Sequence, residues 1–219
     1  MSLSPTLSGP SRSPASGKPA KQLVVFLHGV GADGNDLIGL APYFAKALPD
    51  AAFLSPDGPF PCDLGPFGRQ WFSLQDRTPS VIAAGVRKAS PILNAYLDAQ
   101  LAERGLTDDK LALVGFSQGT MMALYVAPRR AKSCAGVVGF SGALVDGEKL
   151  KQEQTAKPPV LLIHGDADMV VDSQCLSHAA KTLESAGLKV TARLHPGLGH
   201  SIDEPGLQAA IQFLTVAFG

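Results

Sequence analysis

Apolar residues along this chain fall into short runs separated by helix-length stretches. Residues 23–27 (LVVFL) are apolar at every position, which predicts a strand buried on both faces. A Gly-rich turn and a helical stretch near 36–48 follow, then a short strand at 51–54 running into Ser-Pro-Asp-Gly-Pro. Residues 58–69, rich in Gly and Pro, read as a long loop. Helical spacing resumes over 81–104, where Pro91 is expected to kink or split the helix. Beyond it the pattern predicts a strand at 111–116, a helix at 118–127 closed by Pro128, and a strand at 135–140. A polar connection at 149–159 leads to a strand at 160–164 and a helix at 173–186 ended by Gly187. A strand at 189–194 and a last helix at 204–217 complete the chain.

Doubly buried strands alternating with helices predict one α/β domain built on a mostly parallel sheet. No internal repeat or domain linker interrupts 22–219. Residues 1–21, rich in Ser and Pro and free of acids, read as a disordered tail. A transit peptide is the weaker alternative for that composition.

Composition narrows the class. The chain has 219 residues, with 19 Lys+Arg against 19 Asp+Glu. Zero formal net charge removes the electrostatic case for nucleic acid or an anionic membrane surface. No apolar run approaches the ~18 residues of a membrane helix. Cys62, Cys134 and Cys175 are too sparse for a disulfide framework and favour a reducing compartment.

Two stretches raise a chemical question. LALVGFSQGT (111–120) and AGVVGFSGAL (135–144) each end an apolar run in Gly-Phe-Ser. Around Ser117 the pattern is a full G-x-S-x-G, the spacing that lets a strained strand-to-helix turn present a nucleophile without collisions from bulky neighbours. Gly119 opens a convincing helix whose N-terminus would favour developing negative charge. Ser141 has Gly139 before it and Ala143 after it, but ALVDGEKL is a poor helix with a turn at Asp146-Gly147. Ser141 therefore reads as a strand-end residue.

A serine hydroxyl needs a base, and the base an orienting acid. His28 and His164 end strands and read as residues bonding nearby backbone, as His195 also ends a strand. His178 sits mid-helix. His200 lies in the Gly-rich loop PGLGHS after the last strand, a place from which an imidazole can project over the sheet edge. Asp166 and Asp168, both after the 160–164 strand, are the acid candidates, and spacing leaves either open. The chain order Ser117, Asp, His200 is that of α/β-hydrolases. Only Ser117 leaves room for the one strand that fold inserts between nucleophile and acid.

Acyl transfer also needs two N–H donors for the oxyanion. The backbone N–H of Gln118 is one candidate and that of Val30, between flanking glycines, the other. The same stretch, Gly29-Val-Gly31-Ala-Asp-Gly34, matches G-x-G-x-x-G with Asp57 downstream, so dinucleotide binding is the competing reading. Asp33 and Asp36 would repel a pyrophosphate, and Asn35-Asp36 looks like a helix cap, which counts against it. A non-catalytic binding protein on the same fold is the other alternative.

LHGVGADGND, GRQWFSL, LVGFSQGTMMAL, LLIHGDADMVV and GLGHSI together resemble the phospholipase/carboxylesterase family of α/β-hydrolases, from residue 23 to the C-terminus. The resemblance implies a single domain without a large lid, and no metal or organic cofactor. It implies Ser117 as nucleophile, His200 as base and Asp168 as acid, with Val30 and Gln118 as oxyanion donors. The implied substrate is a small carboxylic ester, an acyl thioester or a lysophospholipid. The implied setting is cytoplasmic, and a homodimer is left open. Met169 and Asp172 stand where the family commonly has proline; Asp172 is expected to cap the following helix. Ser73 stands where the thioesterase branch has aspartate, which weakens the transfer of depalmitoylating activity. Leu64, Phe67, Trp71, Met169 and Leu198, on loops expected at the sheet's C-terminal edge, are the expected apolar wall of an acyl pocket. Trp71 fits core packing equally well.

Overall fold

The computed structural model describes residues 7–219. The expected disordered tail lies outside the described residues over 1–6 and is corrected over 7–21. Leu7 is buried, and β1 (Ser11–Arg12) pairs antiparallel with β3 (Ala51–Leu54). Ser55 N–H donates to the Pro10 carbonyl (3.0 Å) and Asp57 N–H to that of Ser8 (2.8 Å). Composition gave no signal because the docking is largely main chain to main chain. A β-carbon on Gly9 would meet the Ser55 carbonyl at 2.2 Å.

β2 (Gln22–Leu27), β3, β6 (Leu111–Phe116), β7 (Gly136–Phe140), β8 (Val160–Gly165) and β9 (Val190–His195) are mutually parallel. With β1 at one edge the order is β1-β3-β2-β6-β7-β8-β9. β7 thus stands between the strand ending at Ser117 and the strand ending near Asp168, as expected. Alternate β2 residues serve opposite cores. Leu23, Val25 and Leu27 face one, while Val24 and Phe26 face the other. The first core is closed by α3 (Pro79–Arg104), α4 (Gln118–Val126) and α6 (Gln174–Ser185). The second is closed by α1 (Gly34–Ile38), α2 (Ala41–Ala45) and α7 (Glu204–Phe218).

Local details depart from the pattern. The single helix expected over 36–48 is two short ones, α1 and α2. The 58–69 loop contains a small hairpin, β4 (Phe60–Pro61) with β5 (Arg69–Gln70). The 149–159 connection contains one helical turn, α5 (Leu150–Glu153). Helix α3 runs unbroken through Pro91. Proline leaves the Arg87 carbonyl without its i+4 donor, and the Ser90 hydroxyl donates to that carbonyl instead (3.2 Å). The helix ends at Gly105, whose φ of 64° suits glycine, with Leu106 N–H closing on the Leu101 carbonyl (2.9 Å).

Candidate active site

Four loops converge at the C-terminal edge of the parallel sheet, after β2, β6, β8 and β9. Ser117 follows β6 at φ 53°, ψ −116°, a conformation that L-residues rarely adopt. It caps α4 and lies on a cleft of about 530 Å³. Both motif glycines are sterically required. A β-carbon on Gly115 would sit 2.5 Å from Gly119 and Thr120 backbone, and one on Gly119 would sit 1.8 Å from the Leu27 carbonyl.

His200 Nδ1 is 2.7 Å from Asp168 Oδ2. The other carboxylate oxygen, Oδ1, accepts from Val170 N–H (2.8 Å) and Val171 N–H (3.0 Å). Burial alone would raise the Asp168 carboxyl, but the His200 imidazole and these two N–H groups outweigh it and hold the pKa below its usual value. His164 Nε2 lies 2.9 Å from the Val171 carbonyl, which can only accept, and 3.2 Å from Asp168 Oδ2. It ties the end of the acid loop back onto β8. The His200 ring packs on Phe116, centroids 4.8 Å apart, next in sequence to Ser117. Asp166, the rival acid, instead accepts from Gly197 N–H (2.6 Å). Its carboxylate is used to hold the loop before His200.

Val30 lines the same cleft as Ser117, and a β-carbon on Gly29 would lie 3.3 Å from Ser117 Cβ. The Val30 N–H shares a peptide plane with the Gly29 carbonyl, which lies 2.7 Å from His28 Nδ1. Because His28 Nε2 accepts from Gly58 N–H (2.8 Å), Nδ1 must carry the proton and donate. Burial pushes the His28 pKa down and keeps this tautomer neutral. In a trans peptide the N–H points away from its carbonyl, so His28 turns the Val30 N–H away from itself. The Gln118 side chain is fixed from both ends: Oε1 accepts from Trp71 N–H (2.9 Å) and Nε2 donates to the Phe72 carbonyl (2.8 Å).

The expected acyl wall is corrected. Trp71 is fully buried, with its indole N–H on the His28 carbonyl (3.0 Å), so it braces both oxyanion candidates from beneath. Phe67 and Met169 are 84% and 94% exposed, and Leu64 is half exposed. Leu198 offers its carbonyl to Ala167 N–H (3.0 Å). None of the five lines the Ser117 cleft. Its apolar lining comes from Leu74, Ile82, Met121, Leu144, Val145 and Val171. One signal was available in the sequence: Met121 lies four residues after Ser117, one turn along the helix. The Leu64–Phe67 tip belongs to the β4–β5 hairpin, whose base bonds the loop after β2 through Gly31 N–H to the Arg69 carbonyl (2.9 Å) and Arg69 N–H to that of Ala32 (2.7 Å). Asp172 meets its expectation, accepting from Gln174 N–H (2.8 Å) at the start of α6.

The dinucleotide reading is not favoured by this geometry. Asp57 Oδ1 accepts from Gly34 N–H (2.8 Å) and Asp33 Oδ1 from Asn35 N–H (2.8 Å). Two carboxylates thus occupy the helix start that a pyrophosphate would need. A β-carbon on Gly34 would meet the Ser55 carbonyl at 1.9 Å, so this glycine serves packing. Among the described residues no group of three or more His, Cys, Asp or Glu could hold a metal ion, and no helix is long and apolar enough to cross a membrane.

A strained serine elbow at the carboxyl edge of a parallel sheet, with a His–Asp pair after later strands, defines the α/β-hydrolase class. Residues 13–218 match the family model described as phospholipase/carboxylesterase, and the chain belongs to that family. It is 33% identical to esterase YpfH of Escherichia coli K12 over 197 residues, 90% of this chain and 83% of the relative. The crystal structure of esterase PE8 superposes with a TM-score of 0.93 at 42% identity, covering 97% of this chain and 99% of that one. A rice relative described as a probable inactive carboxylesterase is 28% identical over 197 residues, 84% of this chain and 80% of its own length.

Proposed function

We propose that this protein is a serine carboxylesterase in which Ser117, His200 and Asp168 act as the catalytic triad. The family reaches to a relative described as inactive, so the support for turnover comes from the site itself. The observation that carries the reading is the 2.7 Å His200–Asp168 pair on a ring packed against Phe116, beside the strained Ser117 elbow. His200 Nε2 takes the Ser117 proton as Oγ attacks the ester carbonyl. The tetrahedral oxygen is met by the Val30 and Gln118 N–H groups, each worth about 3–4 kcal/mol in reactions of this kind. The imidazolium gives its proton to the leaving alkoxide. It then activates the water that releases the acid from the acyl-enzyme.

The acyl chain of the substrate lies along Leu74, Ile82, Met121, Leu144 and Val171, and a cleft of about 530 Å³ admits a medium-length chain. Thioesters and lysophospholipids present the same carbonyl to the same nucleophile. Three unpaired cysteines suit a reducing compartment such as the cytoplasm.

The test is covalent. A fluorophosphonate should add once, on the peptide bearing Ser117, and His200→Ala should abolish the adduct. An adduct on Ser141, or none on folded protein, would overturn the reading.

A further inference from the structure

His195 and Asp203, which the triad does not use, form a second histidine–carboxylate pair. His195 is the last residue of β9 and Asp203 the N-cap of α7, so they stand at the two ends of the loop 196–202 that carries His200. His195 Nδ1 lies 2.9 and 2.8 Å from the two Asp203 oxygens. A carboxylate only accepts, so Nδ1 donates. Asp203 Oδ1 also accepts from Gly206 N–H (2.9 Å), which locks the carboxylate to the first turn of α7.

The pair fits tightly. A β-carbon on Gly206 would sit 2.6 Å from Asp203 Oδ1 and 3.4 Å from His195 Cε1. The opposite flank of the loop is held by β8. Asp166 N–H donates to the His195 carbonyl (3.1 Å), Gly197 N–H to the Asp166 carboxylate (2.6 Å), and Ala167 N–H to the Leu198 carbonyl (3.0 Å). These bonds fix the first half of the loop. His200, Ser201 and Ile202 in the second half run toward α7; His200 is held at its tip by Asp168, and the His195–Asp203 bond ties the α7 end of the loop back to the end of β9.

We propose that His195 and Asp203 are positioning residues for His200: their bond closes the loop at its base and fixes where the imidazole sits relative to Ser117. The proposal rests on the triad reading above. A general base displaced by a fraction of an ångström loses rate while the cleft that binds substrate is untouched. The damage should therefore fall on kcat and not on KM.

The experiment compares His195→Ala, His195→Asn and Asp203→Asn with wild type on a short p-nitrophenyl ester, with fluorophosphonate labelling rates alongside. His195→Ala should lower kcat about tenfold, with KM within about twofold and labelling slowed in parallel. Asparagine carries an amide N–H where histidine carries Nδ1–H, so His195→Asn should recover most of the loss. Asp203→Asn keeps a good helix cap but loses the charge on the pair, and should lower kcat by about threefold or more. If His195→Ala does not fold, Asp203→Asn decides the question.

Full kcat in folded His195→Ala or Asp203→Asn overturns the proposal. So does a His195→Asn variant as slow as His195→Ala, or a loss confined to KM. Ser117→Ala and His200→Ala controls separate this from the parent reading. If they keep turnover, the triad fails; if they lose it while His195→Ala stays fast, only the brace fails.

Discussion

Two turns in this molecule share Gly-Phe-Ser, a preceding buried strand and a left-handed serine. Ser117 has φ 53° and Ser141 φ 46°. They part immediately afterwards. Ser117 opens the nine-residue helix α4 and reaches the cleft. Ser141 is followed by irregular chain, is 1% exposed, and its hydroxyl has no hydrogen-bond partner among the described residues. Gly142 packs into the first turn of α4: a β-carbon there would meet Thr120 Cβ at 2.4 Å and the Ser117 carbonyl at 2.8 Å. The second turn thus serves as a wall for the first. Backbone strain alone does not make a nucleophile; it needs a helix start behind it and open space before it.

The largest expected effect breaks the symmetry outright. Ser117→Ala should lower kcat/KM by at least about 10⁴-fold, whereas Ser141→Ala should stay within about threefold. Steady-state hydrolysis of a short ester, with both proteins checked for folding, decides it. Comparable losses at the two positions would mean that the chemistry is not confined to the first turn.

Next in size is the glycine after the elbow. In Gly119→Ala the methyl would lie 1.8 Å from the Leu27 carbonyl, a backbone atom that cannot swing aside. Loss of several kcal/mol of stability, or of soluble expression, is expected. At the second turn the equivalent position is already Ala143. Urea unfolding of the Gly119→Ala protein is the measurement, and a native midpoint would show that β2 and α4 can part without cost.

The two turns also differ in what lies behind them. The Ser117 side rests on buried neutral His28, which orients the Gly29–Val30 peptide. Burial depresses the His28 pKa from its ordinary 6.5. Below that value the unfolded chain takes up a proton that the folded one resists. The contribution of His28 is therefore fully present above pH 6.5 and is lost as pH falls from there toward the lower folded pKa. Thermal unfolding followed from pH 7.5 to 5 should show this loss, and a folded His28→Gln variant should show a flatter profile. An identical slope in the variant would remove His28 from the account.

Which parts of this could be read from the chain follows from what each part depends on. The positions of the strands along the chain, the elbow and the His200 loop depend on short local patterns: doubly apolar runs, G-x-S-x-G, and a Gly-rich loop after the last strand. Asp166 and Asp168 were indistinguishable by spacing because both follow β8. The family resemblance points to Asp168, and in the fold it is Asp168 that reaches His200 while Asp166 reaches the Gly197 N–H. The expected acyl wall and the lining of the cleft differ because loop position says nothing about facing. Phe67 and Met169 point into solvent, while Ile82 and Met121, inside helices, line the cleft. β1 escaped composition because main-chain bonds hold it.

The smallest effect sharpens the comparison most. Glycine adopts positive φ without the Cβ penalty that serine pays, so Ser→Gly should relieve backbone strain at both turns. At Ser141 it also removes a buried hydroxyl that has no hydrogen-bond partner among the described residues, against the wider freedom glycine gives the unfolded chain. The balance should raise stability by up to about 1 kcal/mol, with activity kept within about threefold. At Ser117 the same substitution also relieves a positive φ, so stability should again hold or rise while turnover disappears. Paired denaturation and rate measurements on the two variants therefore ask what the strain is for. If Ser117→Gly is markedly less stable than wild type, the elbow is held by the serine's own contacts. If both variants gain, the fold imposes both turns, and only at Ser117 does it place a reactive hydroxyl there.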